Sequence, residues 1–127
     1  HFLGVVKDMT NLYQNVDALI HPTLVDTYGM AVLEAMSAKL PVIVSNKKYC
    51  GFAEHLNDDQ ALILNNPKDK IELSKKINLI FSDIEFRKTI AEKGYKKSQS
   101  ISWKNTLEKT LLAYNIVLEN NRNDHEG

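Results

Sequence analysis

Asp26-Thr27-Tyr28-Gly29-Met30-Ala31-Val32-Leu33-Glu34-Ala35-Met36 follows, after Thr23-Leu24-Val25, an apolar segment ending Ala18-Leu19-Ile20-His21-Pro22. The second segment predicts a strand. The first predicts a helix over 27–38, with Asp26 as its N-cap and Gly29 keeping its first turn bare. Helix N-termini carry unpaired backbone N–H groups and the positive end of the dipole, so the strand-to-helix turn is an expected anion site, most simply for a phosphate.

The two acids define the ligand further. If both lie on one helix, eight residues separate Asp26 and Glu34 by roughly 12 Å along the axis and about 80° around it. Carboxylate pairs that cleave glycosidic bonds sit roughly 5–9.5 Å apart, so this spacing argues against a glycosidase. It suits a long ligand with hydroxyls at each end and phosphates between, which is the shape of a nucleotide-sugar.

Outward from this stretch, short apolar runs alternate with helix-period segments, the pattern of an α/β sheet with helices on its faces. Strands are expected at Phe2–Val5, Ala18–His21, Val42–Ser45 and Ala61–Leu64. Helices are expected over 8–15, where Met9, Leu12 and Tyr13 share a face, and as a short turn over 52–56. Beyond Asn65 the chain reads as helical and polar. One helix starts near Pro67-Lys68-Asp69 with a stripe of Ile71, Ile77, Ile80 and Phe81, and another starts at Ser82-Asp83. A last helix is capped by Ser102 and carries Trp103, Leu107, Leu111, Tyr114 and Leu118. The expected organisation is one domain over 1–118 and a frayed tail over 119–127.

The protein has 127 residues, 43% hydrophobic and 25% charged, an ordinary globular composition for one small domain. Sixteen basic and sixteen acidic side chains cancel, so no global field draws it to nucleic acid or an anionic bilayer. The single Cys50 excludes an internal disulfide, no Cys/His spacing resembles a zinc site, and no Asp-x-Asp pair offers itself to a cation on a diphosphate. No metal or cofactor is therefore expected. No apolar run approaches the roughly 20 residues that cross a bilayer. The chain begins inside an apolar segment without an initiator methionine, which reads as a piece of a longer protein.

The run D-T-Y-G-M-A-V-L-E-A-M-S-A-K-L-P-V-I-V resembles the signature E-G-F-G-L-x-x-x-E-A-M-A-x-G-x-P-V-I-A of retaining glycosyltransferases of the GT-B fold. The likeness extends at lower specificity from Phe2-Leu3-Gly4 to Ser102-Trp103. Tyr49-Cys50-Gly51-Phe52-Ala53-Glu54-His55-Leu56 and the His21-Pro22 pair are most similar to lipopolysaccharide core hexosyltransferases. Two positions depart from the pattern. Asp26 stands where Glu is usual, shortening the reach by one methylene. Lys39 stands where Gly is frequent, and a left-handed backbone there costs a non-glycine residue about 1 kcal/mol.

The resemblance implies a Rossmann-like parallel sheet flanked by helices with a helical C-terminus, the donor-binding half of a GT-B enzyme. It implies transfer of a hexose, with retention, from a UDP- or GDP-sugar to a lipopolysaccharide core or related cell-envelope glycan. Asp26 would meet the sugar hydroxyls and Glu34 the ribose. Backbone amides of Thr27, Tyr28 and Gly29 would face the sugar, and those of Met30 and Ala31 the diphosphate. The glycolipid acceptor and the basic diphosphate clamp would belong to a preceding domain, at the cytoplasmic face of the inner membrane. His21 reads either as a turn residue satisfied by backbone or as a donor contact. Gly51 and Phe52 read either as a tight turn or as the far wall of the sugar pocket. Cys50 reads as a core or pocket-wall residue, Lys47 and Lys48 as a solvated loop. Two other functions fit the residues: a GT-B nucleotide-sugar epimerase and a non-catalytic nucleotide-binding module. If the first strands of the domain are missing, Phe2–Val5 lacks its regular neighbour, and self-association or a re-paired first strand is expected.

Overall fold

A computed structural model describes residues 1–101 and 103–123, without the side chains of 103 and 118–123. Three parallel strands, β1 (Leu19–His21), β2 (Val42–Ser45) and β3 (Leu62–Leu64), stand side by side in chain order. α1 (Met9–Gln14) precedes β1, α2 (Met30–Ser37) joins β1 to β2, and a 3-10 turn over Gly51–His55 lies between β2 and β3. α3 (Lys70–Ser82), α4 (Ile84–Gln99) and α5 (Trp103–Asn123) complete the described chain.

Every residue of β2 is buried, as expected of a central parallel strand covered on both faces. Its side chains alternate between two cores. Val42 and Val44 join Val32, Ala35 and Met36 of α2, with Phe52 and Leu56, on one face. Ile43 joins Leu62, Leu64, Ile80 and Ile90 on the other, under α3 and α4. Each helix that covers the second face opens on an aspartate: Asp69 accepts from the amides of Ile71 and Glu72, and Asp83 from that of Phe86.

The structure corrects several expectations. Phe2–Val5 is not a strand, and Phe2, Leu3 and Val5 are exposed. Among the described residues no strand pairs with this run, and the expected re-pairing is not seen. Ile71 and Phe81 are exposed, while Leu73, Ile77 and Ile80 face the core, so the α3 stripe is rotated from its expected position. The α2 helix starts three residues later than expected, with Gly29 as its N-cap at φ 90°. The expected Ser102 cap and the Trp103 and Leu118 contacts lie outside the described residues. Of the expected tail, the backbone is helical to Asn123 and the last four residues are not described. Lys39 does take the left-handed conformation, with φ 60°, and its ammonium sits 4.5 Å from the Tyr95 ring centre and 3.6 Å from Glu92.

Candidate functional site

Parallel α/β sheets present their strand C-termini and the following loops on one edge, where ligands gather. Here two such loops are fastened together. The Asp26 amide donates to Tyr49 O (2.8 Å), the Gly51 amide to Asp26 O (3.1 Å) and the Phe52 amide to Tyr28 O (2.7 Å), and Asp26 and Cys50 form a parallel bridge. The buried Ser45 hydroxyl, at the end of β2, donates to Thr23 O at 2.7 Å. Two glycines permit this approach. A Cβ on Gly51 would lie 2.2 Å from Thr27 O, and one on Gly29 would lie 2.7 Å from Cys50 Sγ.

Asp26 therefore sits before the helix rather than capping it, and the axial spacing to Glu34 derived for a continuous helix does not apply. Its Oδ2 lies 2.8 Å from His21 Nε2, and its Oδ1 accepts from the Tyr28 amide at 3.3 Å. The His21 hydrogen bond holds this carboxyl below the usual range; burial opposes it, and the amides of Gly29 and Tyr28 add to it. The amides of Tyr28 and Gly29 are thus turned toward Asp26 itself. Those of Met30 and Ala31 open α2, in the turn where a helix has no internal acceptor for them.

His21 is satisfied by a carboxylate, not by backbone as a turn residue would be. Phe52 is fully buried, its ring edge-on to Tyr28 with centroids 5.6 Å apart, so it props the Tyr28 turn from below. Tyr28 and Met30 are exposed. Cys50 is fully buried, and burial pushes its thiol above the ordinary value, the Phe52 and Ala53 amides opposing and the Asp26 charge reinforcing the shift. Lys47 and Lys48 are exposed.

Glu34 lies on the exposed side of α2, where its Oε2 accepts from the Tyr13 hydroxyl at 3.2 Å. Burial, then the Glu34 bond and charge, raise the Tyr13 pKa. Beside them opens a cavity of about 920 Å³ whose lining includes Met9, Tyr13, Met30, Leu33, Glu34 and Tyr95. Tyr13 is the supporting residue that sequence reasoning did not assign to the site; its place on an apolar helix face pointed only to packing. Sequence spacing likewise hid a second grouping, for the ligand atoms of His21, Asp26 and Cys50 all lie within 4.8 Å of one another.

Comparison with known proteins gives one consistent picture. The family "Glycosyl transferases group 1" matches residues 1–97. An uncharacterized glycosyltransferase of Methanocaldococcus jannaschii is 31% identical over 93% of this chain and 30% of its own length. The O-antigen chain mannosyltransferase B of Escherichia coli is 28% identical over 91% of this chain and 30% of its own. The chain thus spans 30% of the length of these two relatives. Among solved structures, the lipopolysaccharide-biosynthesis glycosyltransferase WaaG superposes with a TM-score of 0.73 at 24% identity, over 87% of this chain and 30% of that one. The C-terminal domain of a group 1 glycosyl transferase from Francisella tularensis does so with a TM-score of 0.69 at 24% identity, over 79% of this chain and 52% of that one.

Proposed function

The chain belongs to the group 1 glycosyl transferases, and from that premise we propose that it supplies the donor site of a hexosyltransferase. The donor is a UDP- or GDP-hexose, and the acceptor a lipopolysaccharide core or related cell-envelope glycan. One observation carries this reading: the bare start of α2 at Gly29 lies between Asp26 on one side and Glu34, with its cavity, on the other.

In the proposed complex the diphosphate lies at the Met30 and Ala31 amides. The free lone pairs of Glu34 accept from ribose hydroxyls, with the base in the cavity beside Tyr13. Asp26 accepts from sugar hydroxyls, its geometry set by His21 and the Tyr28 turn, while Gly51 and Phe52 support that turn. As the anomeric C–O bond breaks, negative charge grows on the phosphate and positive charge on the ring. Preorganised amides and the helix dipole stabilise the first of these where it develops.

Retention of configuration, the absence of a cofactor and delivery of a glycolipid acceptor by a preceding domain belong to the same proposal, as does a cytoplasmic site at the inner membrane. Among the described residues no helix is long and apolar enough to cross a membrane. The names of two relatives, the O-antigen mannosyltransferase and, at 34% identity over 58 residues, the lipopolysaccharide glucosyltransferase WaaG of Escherichia coli, support the envelope-glycan acceptor. The deciding assay gives the intact protein UDP- and GDP-hexoses with and without a lipid-linked core acceptor. Acceptor-dependent release of nucleoside diphosphate is expected. Conversion of the donor to its epimer without acceptor, or no turnover with any donor, would overturn the reading.

A further inference from the structure

We propose that His21, Asp26 and Cys50 form a binding site for a borderline-soft divalent cation, with Zn²⁺ as the biological type. The three side chains come from the end of β1, the loop before α2 and the start of the 3-10 turn, and they offer one nitrogen, one oxygen and one sulfur within 4.8 Å of one another. In a tetrahedral zinc site, with bonds of about 2.0–2.3 Å, neighbouring ligand atoms stand roughly 3.3–3.6 Å apart. The 2.8 Å between His21 Nε2 and Asp26 Oδ2 then needs to open by ~0.5 Å, and the widest separation, up to 4.8 Å, to close by ~1.2 Å, through side-chain rotation of His21 and Asp26 toward the sulfur.

The backbone already holds the ligands in place. Asp26 and Cys50 are bridge partners, and the amides of Asp26 and Gly51 lock the two segments in register. The cysteine is fixed from behind as well, because Gly29 leaves no more than the room its sulfur takes. Charge balances too. One thiolate and one carboxylate neutralise a divalent ion, with imidazole as the neutral third ligand. On binding, the thiol releases one proton to solvent, and the imidazole binds through Nε2 with its proton on Nδ1.

Three protein ligands leave a fourth position for water or an anionic oxygen, as in open rather than closed zinc sites. The consequence for transfer rests on the donor reading above. An ion held here takes the Asp26 carboxylate away from sugar hydroxyls, so Zn²⁺ inhibits by competing with the donor.

Co²⁺ serves as the spectroscopic probe, in untagged protein. Cys50 is the only cysteine, so any thiolate-to-cobalt charge-transfer band reports that residue. A saturable near-ultraviolet band at one equivalent is expected, displaced by one equivalent of Zn²⁺, lost in Cys50→Ser and at least tenfold weaker in affinity in His21→Gln. Zn²⁺ is also expected to raise the Tm of the unaltered protein, and to raise that of His21→Gln by much less at the same concentration. This keeps the proposal testable if Cys50→Ser does not fold. Absence of a thiolate band in the unaltered protein, or equal Co²⁺ affinity in His21→Gln, would overturn the site. The cobalt spectrum does not depend on catalysis, so failure of the transfer assay and failure of the metal site are separate results.

Discussion

Glu34 faces the cavity but is also tied to a buried tyrosine, so its replacement has two effects. On the donor site proposed above, removal of the Glu34 carboxylate costs roughly 1.5–3 kcal/mol of donor binding, and an orphaned Tyr13 hydroxyl costs about 1 kcal/mol of stability. Glu34→Ala should therefore raise the donor dissociation constant at least tenfold and lower the urea midpoint, whereas Glu34→Gln restores the midpoint and part of the affinity. Titration calorimetry with nucleoside diphosphate reads the first effect; unchanged affinity in the alanine variant removes Glu34 from the site. Asp26 gives a pH signature. Its folded pKa is lowered, so its contribution to stability is complete above the ordinary carboxylate pKa and is lost as pH falls through the folded value. Asp26→Asn should be less stable than the parent by a constant margin from neutral pH down to about pH 4, and the margin should close below that. A margin that persists to the acid limit would mean that His21 and the Tyr28 turn do not act through the charge. The role of Asp26 was only half legible in the sequence. The acid before the glycine was visible, but the turn that makes it a partner of His21 depends on Gly29 adopting φ 90°, and adjacent sequence does not report where a left-handed cap will fall.

Among the elements, α3 shows how a helix can hold the loop ahead of it. Glu72 accepts from the amides of Asn65 and Asn66 and from the Asn65 side chain at 2.9–3.1 Å, and it lies 3.7 Å from Lys76. Burial pushes its pKa up, but these amides and the lysine outweigh it and leave it below the ordinary value. Glu72→Ala removes the charged acceptor of two exposed loop amides and should lower stability by about 1 kcal/mol at neutral pH, with a smaller loss in Glu72→Gln. Chemical denaturation at pH 7 checks this, and identical midpoints for alanine and parent would show that water replaces the carboxylate without cost. The starts of α3 and α4 were legible because Asp69 and Asp83 are side-chain caps, a local signal. The start of α2 was not, because a glycine cap carries no side chain to read.

For the molecule as a whole, the strand that periodicity could not place is Phe2–Val5. Four apolar-leaning residues read as a strand, but a strand exists only with a neighbour, and pairing is not encoded within the segment. The three strands of the sheet were legible because each is a short apolar run between turn residues, although only β2 is buried along its whole length. The described sheet ends at β1, whose Ile20 is 38% exposed, and Phe2, Leu3 and Val5 remain uncovered nearby in sequence. Exposed apolar strand edges recruit further chains. Sedimentation of the protein should accordingly show a concentration-dependent shift to larger species, reduced by Ile20→Lys. A monomer at all concentrations would show that the edge is covered in solution.

The bridge between Asp26 and Cys50 has a thermal meaning beyond its geometry. Two loops joined by three backbone hydrogen bonds, and kept at contact distance by glycines on each side, cannot open one at a time without breaking all three. Deuterium uptake at the amides of Asp26, Gly51 and Phe52 should therefore proceed with one shared protection factor and one shared temperature dependence. Three unrelated uptake rates would mean that the loops breathe independently. If the rates agree, a ligand that touches only the first loop will slow exchange in the second, and the region will respond to occupancy as a single cooperative unit.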